Sequence, residues 1–373
     1  YQKGIAECNY RKSMIYRYKG EMGLSMKYAE TYLTNTQELA DSSTNAKPSY
    51  NMALINTTLG DPPKSNQNYR VAKAYLKAQN NQRNHIAVYN GMGNIFSNIA
   101  FYDSAAIYFN LALELNRLAG DNRRKAIALC NLGGVYQEMG NHDQALIYLE
   151  ESIEISIENI ERNLSDNLAN AYSRMGSLYY DLEDHSLALD YYHLADSMYA
   201  KLNSQSGINN VRVNTGHIYV ALGKFNLALL NYSIALEYYP NQGLKDGMIV
   251  AWQGIADNYA RQNLYQRSII YYDSSLQMAI ESGYYNRQLE VLKKFYSFYA
   301  SIGDYKSALE YHEELLTIKD RILNDNANFI ANDMMFKYDT KQKELDLIKQ
   351  KNEKLRFKKQ RNSFIYTAFG IIF

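Results

Sequence analysis

The sequence predicts an all-α fold: a right-handed superhelical solenoid of about eight helix pairs of about 40 residues each, followed by a long C-terminal helix. Three observations carry this. Turn-forming residues are scarce, a spacing of small and aromatic residues recurs through nearly 300 residues, and residues 304–369 contain neither Gly nor Pro.

Four prolines and 20 glycines in 373 residues leave little material for β-turns, while a hydrophobic fraction of 46% is ordinary for a folded chain. A formal charge of +1 argues against general nucleic-acid binding. Cys8 and Cys130 do not make a disulfide framework. The chain begins at Tyr1 without an initiating Met or a signal peptide, so the true N-terminus is expected to have been removed and its targeting information with it.

The repeat is clearest in GSLYYDLEDHSLALDYYHLA, which starts at Gly176. A small frame residue is followed three later by an aromatic, twelve later by Ala and sixteen later by another aromatic. The same frame falls on Gly93, Gly133, Gly216 and Ala256, with weaker copies at Ser13, Ala53 and Tyr296. Every step is 40 residues except one of 43. Close packing of paired antiparallel helices explains the pattern. A bulky side chain at the frame position, or twelve later, would force the backbones apart at a cost of about 1–3 kcal/mol. The aromatics fill the wider gaps, which accounts for most of the 36 tyrosines without a recognition role.

The spacing resembles the tetratricopeptide repeat. ALEYYP ends one copy at Pro240, as that pattern does, and Trp252 matches its first aromatic in another. These units exceed the usual period of 34 by about six residues, or about 9 Å of extra helix shared by each pair. Asn56 and Tyr296 depart from the pattern near the two ends, where capping units are expected to be atypical. The resemblance covers residues 1–320.

Beyond it, stepping by four and three from Met334 gives a heptad seam that is apolar at five of nine positions, with Asn352 placed to set register in a homodimer. One solvated helix folding back on the last repeat is the alternative. Nine Lys or Arg stand against three acidic residues between Lys341 and Arg361. The following FIYTAFGIIF has ten residues, too few for a bilayer that needs about 20. Residues 321–361 are therefore read as a charged helical stalk, and 362–373 as the start of a truncated transmembrane helix, with basic residues suited to anionic head groups. This order is similar to that of Bacteroidetes membrane-anchored regulators, which join a tetratricopeptide sensor, a stalk, one membrane helix and a histidine kinase or LuxR-like output. The resemblance implies periplasmic repeats, although the positive-inside rule would place residues 354–361 in the cytoplasm.

No catalytic constellation, cofactor motif or metal-ligand spacing is present, so no enzyme activity is expected before Phe373. A solenoid of this kind implies a concave groove for a peptide or protein, lined by the first helix of each unit. The residues expected to face it are Asn90, Asn94, Asn131, Arg174, Asn214, His217, Gln253 and Asp257. Tetratricopeptide domains that clamp a C-terminal carboxylate match at Asn90, Asn94, Asn131, Asn170 and Arg174, with both lysines of the clamp replaced by Asn. The expected function is a non-enzymatic sensor or scaffold, relaying binding through the stalk of a membrane-anchored signalling protein. The alternative is an assembly scaffold with no output domain.

Overall fold

A computed structural model describes residues 2–18, 22–37, 49, 51–53, 82–98, 100–158, 166–282 and 284–325 of the chain. All of its regular elements are helices: α1 (Gln2–Tyr18), α2 (Met22–Gln37), α3 (Gln82–Asn98), α4 (Tyr102–Ala119), α5 (Asn122–Glu138), α6 (His142–Glu158), α7 (Asp166–Asp181), α8 (His185–Lys201), α9 (Gln205–Ala221), α10 (Phe225–Gln242), α11 (Lys245–Arg261), α12 (Tyr265–Glu281), α13 (Tyr285–Ser301) and α14 (Tyr305–Asp325). Asn56, the DPPKSNQ insertion, the stalk beyond residue 325 and the apolar terminal stretch lie outside the described residues.

The helices pair as hairpins and the hairpins stack, giving the helical-repeat solenoid that the spacing predicts. These form one compact unit, Tyr1–Ile322; a second, Leu323–Phe373, is described only through the last residues of α14.

Each frame residue sits where its hairpin closes. A Cβ on Gly93, Gly133, Gly176 or Gly216 would come within 2.6–2.8 Å of Phe109, Leu149, Tyr192 or Tyr232 respectively, the residue sixteen later in each case. Twelve residues on, Ala105, Ala145, Ala188, Ala228 and Ser268 are fully buried. A second close approach falls nineteen residues on, at Ala112, Ser152, Ala195, Ala235 and Ser275. Where Ser replaces Ala there, its hydroxyl donates to a carbonyl of the facing helix: Ser152 to Ala126 (2.8 Å) and Ser275 to Ile249 (3.2 Å). In the first unit Ser13 and Ser25 occupy the frame and close-approach positions, each hydroxyl donating to the other's carbonyl at 2.7 Å. Buried hydroxyls need such partners.

The aromatic three after the frame meets a ring twelve residues further along: Tyr16 stacks on Tyr28, Phe96 on Tyr108, Tyr179 on Tyr191, Tyr259 on Tyr271 and Tyr299 on Tyr311, and Tyr136 lies tilted against Tyr148, with centroids 5.3–5.7 Å apart. The tyrosines are thus chiefly helix-pairing residues. The six hairpin turns that are described pass through a left-handed residue seven after the frame, a Gly at 140, 223 and 303 and a non-glycine at Ala100, Glu183 and Asn263.

Candidate functional site

First helices of neighbouring units approach one another, α5 with α7, α7 with α9, α9 with α11 and α11 with α13, while among the described residues no pair of second helices does so to that extent. This is the asymmetry of a stack that curves with its first helices inside, and it makes their exposed faces the candidate binding surface.

The nine residues expected on that surface divide into three groups. Asn94, Asn131 and Asn214 are half-buried, with no side-chain hydrogen bond among the described residues. Arg174 is exposed and makes no salt bridge among them; its guanidinium lies across α5, where a Cβ on Gly134 would be 2.0 Å from it, and burial pushes the nearby Cys130 thiol up while the Arg174 charge works to lower it.

A second group is already engaged. Asn170 accepts the Tyr199 hydroxyl at 2.6 Å, a contact repeated one unit on by Asn210 and Tyr239 at 2.8 Å. His217 Nδ1 lies 3.0 Å from the Tyr232 hydroxyl. Burial, followed by the nearby Lys294, pushes the imidazole down to about 4, so it is neutral near pH 7, and its tautomer sets which of the two donates. Asp257 accepts the Tyr272 hydroxyl and the Lys294 ammonium, the latter at 2.6 Å. Burial works against the charge on Lys294, but Asp257 outweighs it and holds the ammonium above its ordinary pKa.

The third group is a correction. Gln253 is only 1% exposed, and its Nε2 has no partner among the described residues. Cys130, Val213 and Gln253, each three before the frame, turn into the seam between helices, whereas Asn131, Arg174 and Asn214, two before it, and Asn94, one after it, are less buried. One residue is about 100° of helix, which separates the two faces. Asn90, also three before its frame, is half-buried with its Oδ1 unpartnered.

An ion cluster along α11 and α13 completes the surface. Arg287 bonds Asp246 through two nitrogens (2.6 and 2.9 Å) and Glu290 through a third (2.8 Å). Burial opposes the charge on Arg287, but Asp246 and then Glu290 more than offset it. Lys294 could have been found from sequence, because it stands two before the frame residue Tyr296. The Asp246–Arg287 pair joins helices 41 residues apart, and spacing within one unit does not reveal it. The cations of this cluster are therefore paired, and the side chains left open to a ligand are the amides and Arg174. No group of three or more His, Cys, Asp or Glu able to hold a metal ion occurs among the described residues. None of their helices is long and apolar enough to cross a membrane.

Residues 84–158 and 126–201 match the tetratricopeptide repeat family. No curated protein sequence matches the chain. Among solved structures it is similar to a Rap protein complexed with Competence and Sporulation Factor, at 13% identity over 87% of this chain and 100% of that one, with a TM-score of 0.62. A Rap conjugation gene regulator in complex with a Phr peptide gives 14% identity over 86% and 96%, with a TM-score of 0.66. NprR in complex with its cognate peptide NprX gives 13% over 82% and 88%, with a TM-score of 0.55. At these identities the likeness is one of fold. Residues 84–201 carry tetratricopeptide repeats, and the described helices that follow continue the same stack of hairpins.

Proposed function

We propose that the inner face of the solenoid binds an extended peptide or protein segment, and that the repeats are the periplasmic sensor region of a membrane-anchored signalling protein. The observation that carries the binding reading is the set of open polar side chains on successive first helices: Asn94 on α3, Asn131 on α5, Arg174 on α7 and Asn214 on α9. A primary amide both donates and accepts, so a row of them matches the alternating N–H and C=O groups of an extended backbone. Two proteins of like fold were solved with peptides bound, which supports a peptide over a small molecule. Arg174 adds a charge for an acidic group on the ligand.

The membrane-anchored part of the reading rests on the basic run at 354–361 followed by FIYTAFGIIF, and on the resemblance to sensor–stalk–membrane regulators. No catalytic role is assigned to the repeats.

A peptide selected from a displayed library against the chain supplies the probe. Asn94→Ala combined with Arg174→Ala weakens that peptide at least about tenfold by calorimetry, or about 1.4 kcal/mol. Unchanged affinity removes the inner face as the site. For the anchoring, alkaline extraction of membranes from cells making the full-length gene product leaves it in the pellet; release into the supernatant contradicts a membrane span.

A further inference from the structure

At two seams of the inner face, the residue two before the frame of one unit lies against the residue one after the frame of the unit before it. On α13 the first of these is Lys294, whose ammonium meets Asp257 of α11 at 2.6 Å. On α7 it is Arg174, which meets Gly134 of α5, where a Cβ would lie 2.0 Å from a guanidinium nitrogen. Both seams thus carry a cation at the same register position. The lysine finds a carboxylate on the chain itself. The arginine finds a residue with no side chain, and it makes no salt bridge among the described residues. This close approach gives Gly134 its reason. Glycine is unfavourable inside a helix, and the frame contact with Leu149 is already made by Gly133. Arg174 therefore keeps its charge exposed on the groove floor, with Asn131 on the first helix before it and Asn214 on the one after.

We propose that the Arg174–Gly134 seam is a specificity subsite for an acidic side chain within the bound peptide, whose carboxylate takes beside Arg174 the place that Asp257 takes beside Lys294. The proposal rests on the inner-face reading and narrows its ligand. A guanidinium receives a carboxylate through two parallel N–H···O bonds, so one arginine serves one acidic side chain. Capture of a terminal carboxylate is a different arrangement, and the residues here disfavour it. Both lysines of that clamp are replaced, by Asn90 and Asn170, and the Asn170 amide oxygen already accepts the Tyr199 hydroxyl at 2.6 Å. The place of the acidic residue in the peptide follows from the stack. Asn94, Asn131, Arg174 and Asn214 stand on four successive first helices, α3, α5, α7 and α9. Packed helices lie about 8–10 Å apart, so an extended chain crosses the four in about eight or nine residues at about 3.3 Å each. Arg174 is on the third of them, which sets the acidic residue about three residues from the end that lies over α9, inside the segment and not at its terminus.

The test uses the whole chain and a displayed library of random linear peptides. The selected peptides share an internal Asp or Glu, and exchanging that residue for Asn or Gln weakens binding about tenfold by calorimetry. Amidation of the peptide's C-terminus leaves the affinity unchanged. Arg174→Gln removes the difference between the acidic peptide and its amide counterpart. So does Gly134→Asp, which gives Arg174 the internal carboxylate that Lys294 has in Asp257, whereas Gly134→Asn keeps the difference. Equal binding of the acidic and amide peptides to the wild-type chain overturns the subsite; where Asn94→Ala and Asn214→Ala still weaken both, the inner-face reading stands. A loss on C-terminal amidation means capture of a terminal carboxylate and overturns the subsite as well. Peptides insensitive to every inner-face substitution, or no peptide recovered at all, overturn the subsite and that reading together.

Discussion

The Cβ that Gly216 lacks would lie 2.6 Å from the ring of Tyr232, and one on Gly254 would lie 2.4 Å from the same ring on its other side. Tyr232 is fully buried, so its ring has nowhere to retreat. Gly216→Ala gains about 1 kcal/mol of helix propensity but overpacks the hairpin by about 1–3 kcal/mol. The net expectation is a lower denaturation midpoint. A raised midpoint would mean that the helices do not close on these rings.

Glu183 holds the left-handed turn position that Gly140, Gly223 and Gly303 hold elsewhere, with φ of +61°. A side chain there costs about 1–2 kcal/mol. Glu183→Gly therefore raises the thermal midpoint, and Gly223→Glu lowers it. The comparison uses the same turn in two units, so a shift of the same sign in both variants would contradict the account.

Opposite Tyr219, the stacking partner found in other units is replaced by Asn231, and the Lys224 ammonium lies 5.9 Å from the Tyr219 ring centroid instead. Asn231→Tyr should supply the missing ring and stabilise the hairpin by about 0.5–1.5 kcal/mol. The Asn231 amide bonds only the Leu227 carbonyl of its own helix, at an exposed position, so little is lost. Urea denaturation reads the difference, and a destabilised variant counts against the ring ladder as a pairing device.

His217 sets a pH dependence whose sign is fixed. Its pKa falls from 6.5 to about 4 on folding, first through burial and then through Lys294, with Asp257 and Glu290 pulling the other way. The unfolded chain takes up the proton at the higher value and the folded chain only at the lower one. Stability contributed by the neutral ring is complete above pH 6.5, is lost as pH falls toward 4, and then levels. His217→Gln flattens that fall in denaturation curves taken across the window. An identical slope in both proteins would show that the ring titrates freely.

The hairpin frame is legible in sequence because backbone contact admits only small residues, and the seven positions from Ser13 to Ala256 record it directly, while Tyr296 departs from it and is exposed. The ring ladder is less so. In the Tyr191–Tyr192 pair, Tyr192 packs on Gly176 and Tyr191 stacks on Tyr179, a division that adjacent identical residues do not announce. Ala100, Glu183 and Asn263 conceal the left-handed turns that glycine advertises in other units. On the inner face, Asn94, Asn131, Arg174 and Asn214 stand open where their register places them. Gln253 does not, because the residue three before the frame points into the seam. His217 and Asp257 are taken up by Tyr232, Tyr272 and Lys294, and the Asp257–Lys294 bond joins residues 37 apart, in different units.

Hydrogen exchange on the free and peptide-saturated protein tests the central claim most directly. The account predicts slowed exchange in α3, α5, α7 and α9, the first helices that carry the open amides and Arg174, with the second helices α4, α6, α8 and α10 unchanged. Protection confined to the second helices, or to residues beyond α14, would contradict it.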